Sequence, residues 1–250
     1  MSARIEARGI TVPGRLNDVS VAVAGGEVHA LVGPNGSGKS TLLAVLAGDL
    51  RPSGGTVAIE GTSWSSVSAR DAARRRALLT QETPLAFPFT VREVVTWGRL
   101  PWRGSELAAQ DDRIVSEVLA EHGLGDLLDR PVTSLSGGER ARVHLARVLA
   151  QRAPVLLLDE ADAALDLAGQ AHLDAAVRRR RDAGDAIVIV GHDLGRLAAL
   201  ADTVTLLSHG RVVGQGSAET TLSPGALTQA YGVPVASSSI DGRTVFWSEG

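Results

Sequence analysis

Apolar residues along this chain follow two rhythms. Short apolar runs bounded by glycine and proline alternate with stretches in which apolar positions recur every three or four residues. The first rhythm predicts strands and the second amphipathic helices. Residues 4–24 alternate and break in the manner of antiparallel strands, with Pro13-Gly14 between them and a turn at Gly25-Gly26. A strand at 28–32 and a helix at 39–48 follow, then a turn at Gly54-Gly55, a strand at 56–60, a helix at 69–76 and a strand at 77–80. From about 84 to 152 the strand pattern disappears; Pro84, Pro88 and Pro101 punctuate loops, and 105–122 and 137–152 read as helices. Strands return at 155–159, 186–190, 203–208 and 211–215, with a helix at 167–183 between the first two. The runs at 155–158 and 186–190 are apolar throughout, which suits parallel strands buried on both faces. The pattern predicts an α/β core formed by 1–83 and 153–250, with an antiparallel β subdomain, interrupted by a helical insert at 84–152.

Composition narrows the class. The 250 residues, 44% of them hydrophobic, suffice for one large domain or a core plus a subdomain. A net charge of −3 gives no basic surface for nucleic acid. The absence of cysteine excludes disulfides, thiolate metal sites and a cysteine nucleophile. Residues 1–9 are polar and mixed in charge, unlike a signal peptide, and no apolar run approaches the ~20 residues that span a bilayer. The chain thus reads as a soluble cytoplasmic one. The arginine blocks at 74–76 and 178–181 read as solvated helix ends rather than binding patches.

One glycine-rich stretch carries a mechanism. Gly33-Pro34-Asn35-Gly36-Ser37-Gly38-Lys39-Ser40-Thr41 fits G-x-x-x-x-G-K-[ST] without a gap. Such a loop cradles nucleotide phosphates when it joins a strand to a helix, and the flanking pattern predicts that context. Glycines let backbone N–H groups face phosphate oxygens, and the helix start adds its positive end. Lys39 is placed to reach the β- and γ-phosphates and Ser40 to ligate Mg²⁺, with Thr41 beside it.

The run at 155–158 ends in Asp159-Glu160. A strand end of this kind can be two solvated acids. Behind a phosphate loop, Asp159 is placed to hold Mg²⁺ near Ser40, and Glu160 to act on a water as general base. His192 follows the strand at 186–190, on the carboxyl edge of the sheet, where α/β ligand sites lie. Its imidazole can hydrogen-bond the γ-phosphate and orient the water. His29, His122, His144, His172 and His209 read as structural. Gln81 also ends a strand; its amide oxygen can ligate Mg²⁺, and its loop leads into the insert, as suits a sensor between the two.

Leu135-Ser136-Gly137-Gly138-Glu139 opens the helix at 137–152. Ser136 as N-cap with Glu139 three residues on makes a capping box. That box accounts for the serine and the glutamate but not for two glycines, which weaken a first turn. Backbone N–H groups bared toward an anion account for them. Two phosphate-gripping half-sites in one chain predict a nucleotide site completed by a second copy.

Together these residues resemble the ATP-binding subunits of ABC transporters over essentially the whole chain. The resemblance implies a P-loop NTPase core of ABC type, in which 33–41 is the Walker A loop, Gln81 the Q-loop, 135–139 the signature, Asp159 and Glu160 the end of Walker B, Ala163-Ala164-Leu165-Asp166 the D-loop and His192 the switch histidine. It implies ATP and Mg²⁺ as cofactors and a head-to-tail homodimer in which each signature covers the other copy's Walker A. It further implies integral-membrane permease subunits as direct partners, a periplasmic or lipoprotein substrate-binding protein as an indirect one, no nucleic acid, and a peripheral location at the cytoplasmic face of the cell membrane. The chain departs from the family pattern in three places. Thr11-Val12-Pro13 offers no aromatic to stack on adenine, Ala161 stands where a proline usually follows the catalytic glutamate, and Ala163 replaces the usual D-loop serine.

Phe87, Phe89, Trp97 and Trp102 place four of the eight aromatic residues within 87–102. Packing inside the insert is one reading. The resemblance implies another, because this region of ABC subunits receives a coupling helix of the permease in an apolar groove; Phe87, Phe89 and Trp97 are then the contact. The wording of 86–91 resembles haem-import ATPases, and that of 227–233 resembles the wider group importing haem, ferric siderophores and vitamin B12. The expected function is ATP hydrolysis driving haem import, with siderophore or vitamin B12 import as alternatives. A non-transport ABC ATPase is a further alternative, but the chain has neither the long coiled-coil insertion of repair members nor the paired cassettes of ribosome-associated ones. A binding-only cassette would not need Glu160 and His192.

Overall fold

The computed structural model describes residues 3–80 and 87–249. β1 (Ala3–Val12) and β2 (Leu16–Ala24) pair antiparallel, and β3 (Glu27–Val32) runs into the phosphate loop and α1 (Lys39–Ala47). β4 (Gly54–Ile59) and β5 (Thr62–Ser63) complete a four-stranded antiparallel sheet in the order β2-β1-β4-β5. α2 (Ala69–Arg75) leads to β6 (Arg76–Leu79). Then come α3 (Val91–Thr96), α4 (Asp111–Glu121) and α5 (Gly137–Ala150), with no strand among the described residues between Phe87 and Arg152. β7 (Val155–Asp159), α6 (Leu167–Asp182), β8 (Ala186–Val190), α7 (Leu194–Leu200), β9 (Thr203–Ser208) and β10 (Arg211–Gly216) follow. α8 (Ala218–Thr221), α9 (Pro224–Tyr231) and a hairpin of β11 (Val235–Ile240) and β12 (Arg243–Ser248) close the chain.

The second sheet has the order β10-β9-β3-β8-β7-β6 and is parallel except at its β10 edge. β8 lies between β3 and β7, so the segments leaving all three strands emerge side by side at the carboxyl edge, where open α/β sheets bind ligands. Alternate residues of β7 and β8 enter different cores. Leu156, Leu158, Ile187 and Ile189 pack toward the helical insert, whereas Val155, Leu157, Val188 and Val190 pack with α1 and the antiparallel sheet. Burial on both faces is why these strands read as unbroken apolar runs.

The expected helix at 105–122 divides into a 3-10 turn at Glu106–Gln110 and α4. Asp111 and Asp112 fix the α-helical start by complementing its dipole. The buried Arg99 reinforces the boundary, donating from Nε to Asp111 Oδ1 at 2.7 Å and from Nη1 to the Ala150 carbonyl at 2.9 Å. The arginine blocks are not simply solvated. Arg180 is largely buried, paired with Asp185 at 2.6 Å and bonded to the Ala153 carbonyl at 2.6 Å, and Arg76 pairs with Asp49 at 2.8 Å. The closing hairpin lay outside the strands expected from the pattern. Its turn is Asp241-Gly242 with φ of 49° and 76°, the positive-φ pair that a two-residue hairpin loop requires.

Three of the histidines read as structural are buried and held neutral. His29 bonds the Thr203 and Thr205 hydroxyls at 2.7 and 2.9 Å. Burial lowers its pKa from 6.5 to about 4, lowers His144 to about 4, and together with the nearby His172, Arg179 and Arg142 lowers His122 to about 3. All three values lie below the unfolded one. The stability these groups contribute is therefore complete above pH 6.5 and is lost as the pH falls from 6.5 toward their folded values. Each histidine contributes up to about 1.4 kcal/mol of loss per pH unit in that window. The urea midpoint is expected to fall steadily between pH 6.5 and 5, and less steeply in His122→Phe; an unchanged midpoint over that range would show that these imidazoles do not couple to folding.

Candidate nucleotide site

The loop of residues 33–41 is shaped by its glycines. Gly33 (φ 145°) and Gly38 (φ 107°) occupy backbone conformations that other residues rarely adopt. A Cβ at Gly33 would lie 2.1 Å from the Leu207 carbonyl oxygen, and one at Gly38 would lie 2.6 Å from Leu16 Cδ2. Lys39, the first residue of α1, turns back under the loop. Its Nζ donates to the Gly33 and Pro34 carbonyls at 2.8 and 2.9 Å. Burial holds this ammonium below its ordinary range, while Glu160 and Asp159 draw it back up. Among the described residues, the cation is thus held beneath the loop by backbone oxygens rather than by a carboxylate contact. The Ser37 hydroxyl is buried without a partner among the described residues.

Asp159 ends β7, alongside Val190 of β8. Burial lifts its carboxyl above the ordinary range and the Glu160 charge adds to this; the Ser40 hydroxyl bond, Lys39 and His192 oppose it. Its Oδ1 is buried with no partner among the described residues. A desolvated carboxylate with a free oxygen beside a serine hydroxyl is the donor set a hard divalent cation takes. These residues therefore fit Mg²⁺. Glu160 follows with φ 47°, an uncommon conformation for a non-glycine residue, and its Oε1 lies 2.6 Å from His192 Nε2. Lys39, Ser40, Asp159, Glu160 and His192 are thereby gathered at one edge of the sheet. Gln81 lies outside the described residues.

A cleft of about 460 Å³ opens along the loop, bounded by Asn35, Gly36, Lys39, Glu160 and, from the β1–β2 turn, Gly14 and Arg15. Sequence reasoning missed the last two. They lie beside the loop only because β2 packs against the large sheet; in the sequence, the sole signal was the Pro13-Gly14 turn.

Residues 135–139 lie elsewhere in the same chain. Ser136 and Glu139 form the capping box, with the Glu139 carboxylate accepting from Ser136 N–H at 2.8 Å and the Ser136 hydroxyl from Glu139 N–H at 3.3 Å. Leu135 is buried in the insert core. A Cβ at Gly137 would meet nothing within 4 Å, and one at Gly138 only the Ala164 carbonyl at 3.8 Å. Nothing among the described residues therefore demands either glycine, although each weakens the helix by roughly 0.5–1 kcal/mol relative to alanine. Asp166 caps α6, accepting from Gly169 N–H at 2.8 Å. Ser136, Gly138 and Asp166 line a separate cleft of about 440 Å³ that shares no residue with the one along the phosphate loop.

The ABC transporter family profile matches residues 16–163. The chain belongs to the ABC transporter family. The hemin import ATP-binding protein HmuV of Streptomyces coelicolor is 50% identical to this ABC cassette over 220 residues, which are 88% of this chain and 79% of that protein. HmuV of Nocardia farcinica is 50% identical over 92% of this chain and 81% of the relative. The cobalamin import ATP-binding protein BtuD of Halobacterium salinarum is 41% identical over 88% of this chain and 56% of its own length. Among solved structures, a chain of a metal-chelate type ABC transporter in an inward-facing conformation covers this cassette completely, with a TM-score of 0.84 at 23% identity. That likeness shows the P-loop NTPase fold of ABC type. In the cassette's insert, Phe89 stacks edge-on against Phe87 and Trp97, with centroids 6.1 and 4.8 Å away. Phe89 and Trp97 lean on the core, while Phe87 is 66% exposed. Trp102 is structural, donating to the Gln151 carbonyl at 2.7 Å beneath Arg74 and Arg99.

Proposed function

We propose that this chain is the ATP-hydrolysing subunit of an importer, working as a homodimer at the cytoplasmic face of a membrane beneath a separate permease, with haem as cargo. The observation that carries the hydrolytic reading is the Glu160–His192 contact of 2.6 Å beside a phosphate loop with a buried lysine. Lys39 and the amides of 33–41 hold the β- and γ-phosphates. Glu160 takes the proton of the attacking water, and His192 holds Glu160 and the γ-phosphate in register. Ser40 and Asp159 would hold Mg²⁺, with Gln81 as a further ligand and sensor; the ion would supply charge neutralisation at the transferring phosphoryl group. Residues 135–139 and Asp166 of the second copy close the site. The two clefts, one on each half-site, support this reading, since C₂ pairing buries both at once.

Cargo is read from kinship. The relatives at 50% identity are named for hemin import and one at 41% for cobalamin import, so haem is preferred, and a ferric siderophore or vitamin B12 is the alternative. Stimulation of ATP turnover by a reconstituted permease with haem-loaded binding protein, and not with vitamin B12, tests the choice. In the proposed signature subdomain, 84–152, the exposed Phe87 with Phe89 and Trp97 docks the permease. Phe87→Ala is expected to weaken assembly at least about tenfold, a loss of about 1.4 kcal/mol, with an unchanged melting temperature. Assembly and transport at wild-type levels in that variant would remove this surface from the interface.

A further inference from the structure

The turn that carries Glu160 is tied down from outside the phosphate site. Arg196, in the first turn of α7, is 9% exposed at its side chain and lies between two carboxylates. Its Nη1 donates to Asp162 Oδ2 at 2.6 Å, and its Nε and Nη2 donate to Asp174 Oδ1 at 3.0 and 2.5 Å. Its backbone N–H donates to Asp193 Oδ1 at 2.9 Å. Asp162 stands two residues after Glu160, Asp174 lies on α6, and Arg196 stands four residues after His192. One guanidinium thus joins the Glu160 turn, α6 and the His192 loop. The turn and loop also lie directly together, since a Cβ at Gly191 would fall 3.8 Å from Asp162 Oδ1.

The turn has need of such a tie. A non-glycine residue at positive φ persists only where its surroundings over-determine it. The Glu160 N–H is held by the Val190 carbonyl at 3.0 Å. Between Glu160 and Asp166 the residues are Ala161, Asp162, Ala163, Ala164 and Leu165, so Asp162 is the one side chain there that can form a polar tie.

We propose that Arg196 is a positioning residue of the hydrolytic site: through Asp162 it fixes the Glu160 turn against the His192 loop, while Asp174 on α6 serves to neutralise its buried charge. The inference rests on the roles proposed above for Glu160 and His192. It touches no nucleotide and acts only on the distance between those two side chains.

The triad allows a clean comparison, because either carboxylate can be removed while the other still neutralises the buried arginine. Asp162→Ala is expected to lower kcat for ATP at least tenfold with KM within twofold. Asp174→Ala, which also removes one partner of Arg196 but leaves the Asp162 tie, is expected to keep kcat within threefold at a similar loss of melting temperature. Asp162→Asn still accepts from Arg196 and is expected to recover most of the lost kcat; it also decides the matter if Asp162→Ala does not fold. Equal kcat losses in Asp162→Ala and Asp174→Ala, or wild-type kcat in Asp162→Ala, would overturn the clamp. If Glu160→Gln turns over at the wild-type rate, the underlying reading of the site fails instead; if Glu160→Gln is inactive while Asp162→Ala is not, only the clamp fails.

Discussion

Glu160→Gln is expected to lower ATP turnover by roughly 10²–10⁴-fold, the range that a positioned general base supplies, while ATP affinity stays within a few-fold. The reasoning is local. Glutamine matches glutamate in size, can occupy the same φ 47° position and can still accept from His192. It cannot take a proton from water. It also removes one negative charge beside Lys39 and Asp159, which favours binding of a polyanionic nucleotide. Phosphate release at saturating ATP checks the rate, under whichever condition, isolated or with permease, the wild type turns over. A wild-type rate would mean that the proton goes elsewhere.

Gly138→Asp is expected to have an effect of similar size from the other half-site. Within its own chain the substitution is benign. Among the described residues, a Cβ at that position meets only the Ala164 carbonyl at 3.8 Å. An aspartate in the first turn of α5 complements the helix dipole and replaces a poor helix former, so the melting temperature is expected to hold or rise. Across a dimer the same carboxylate would face the γ-phosphate of the other copy's nucleotide, where like charges repel. Turnover is expected to fall at least about 100-fold, or ~2.7 kcal/mol, with ATP binding to the monomer unchanged. Stability and activity then move in opposite directions, which a role confined to helix capping cannot produce. Wild-type turnover would mean that the glycines serve no partner.

What was legible in the sequence was the placement of motifs written in contiguous residues. The phosphate loop, Asp159-Glu160 and 135–139 each sit on one strand end or helix start, so pattern and motif point to the same place. The double-faced apolar strands were legible for the same reason. Less visible were features that form when distant segments meet. Arg196 reaches Asp162 across 34 positions and Asp174 across 22, and no local pattern marks such a triad. Arg15 borders the cleft along the phosphate loop only through packing of β2. The closing hairpin was different, because Asp241-Gly242 between alternating segments carries its own local turn chemistry. The capping box at Thr90 and Glu93, which starts α3, was likewise spelled out locally.

The claim on which the rest depends is that one chain holds two half-sites and a second copy completes them. Light scattering on Glu160→Gln with ATP and Mg²⁺, with and without Gly138→Asp in the same chain, tests it most directly. Glu160→Gln alone is expected to run at twice the 25.9 kDa of the single chain with two nucleotides retained, and the double variant as a monomer that still binds ATP. A Glu160→Gln chain that stays monomeric at saturating ATP, or a dimer indifferent to Gly138→Asp, would contradict the account.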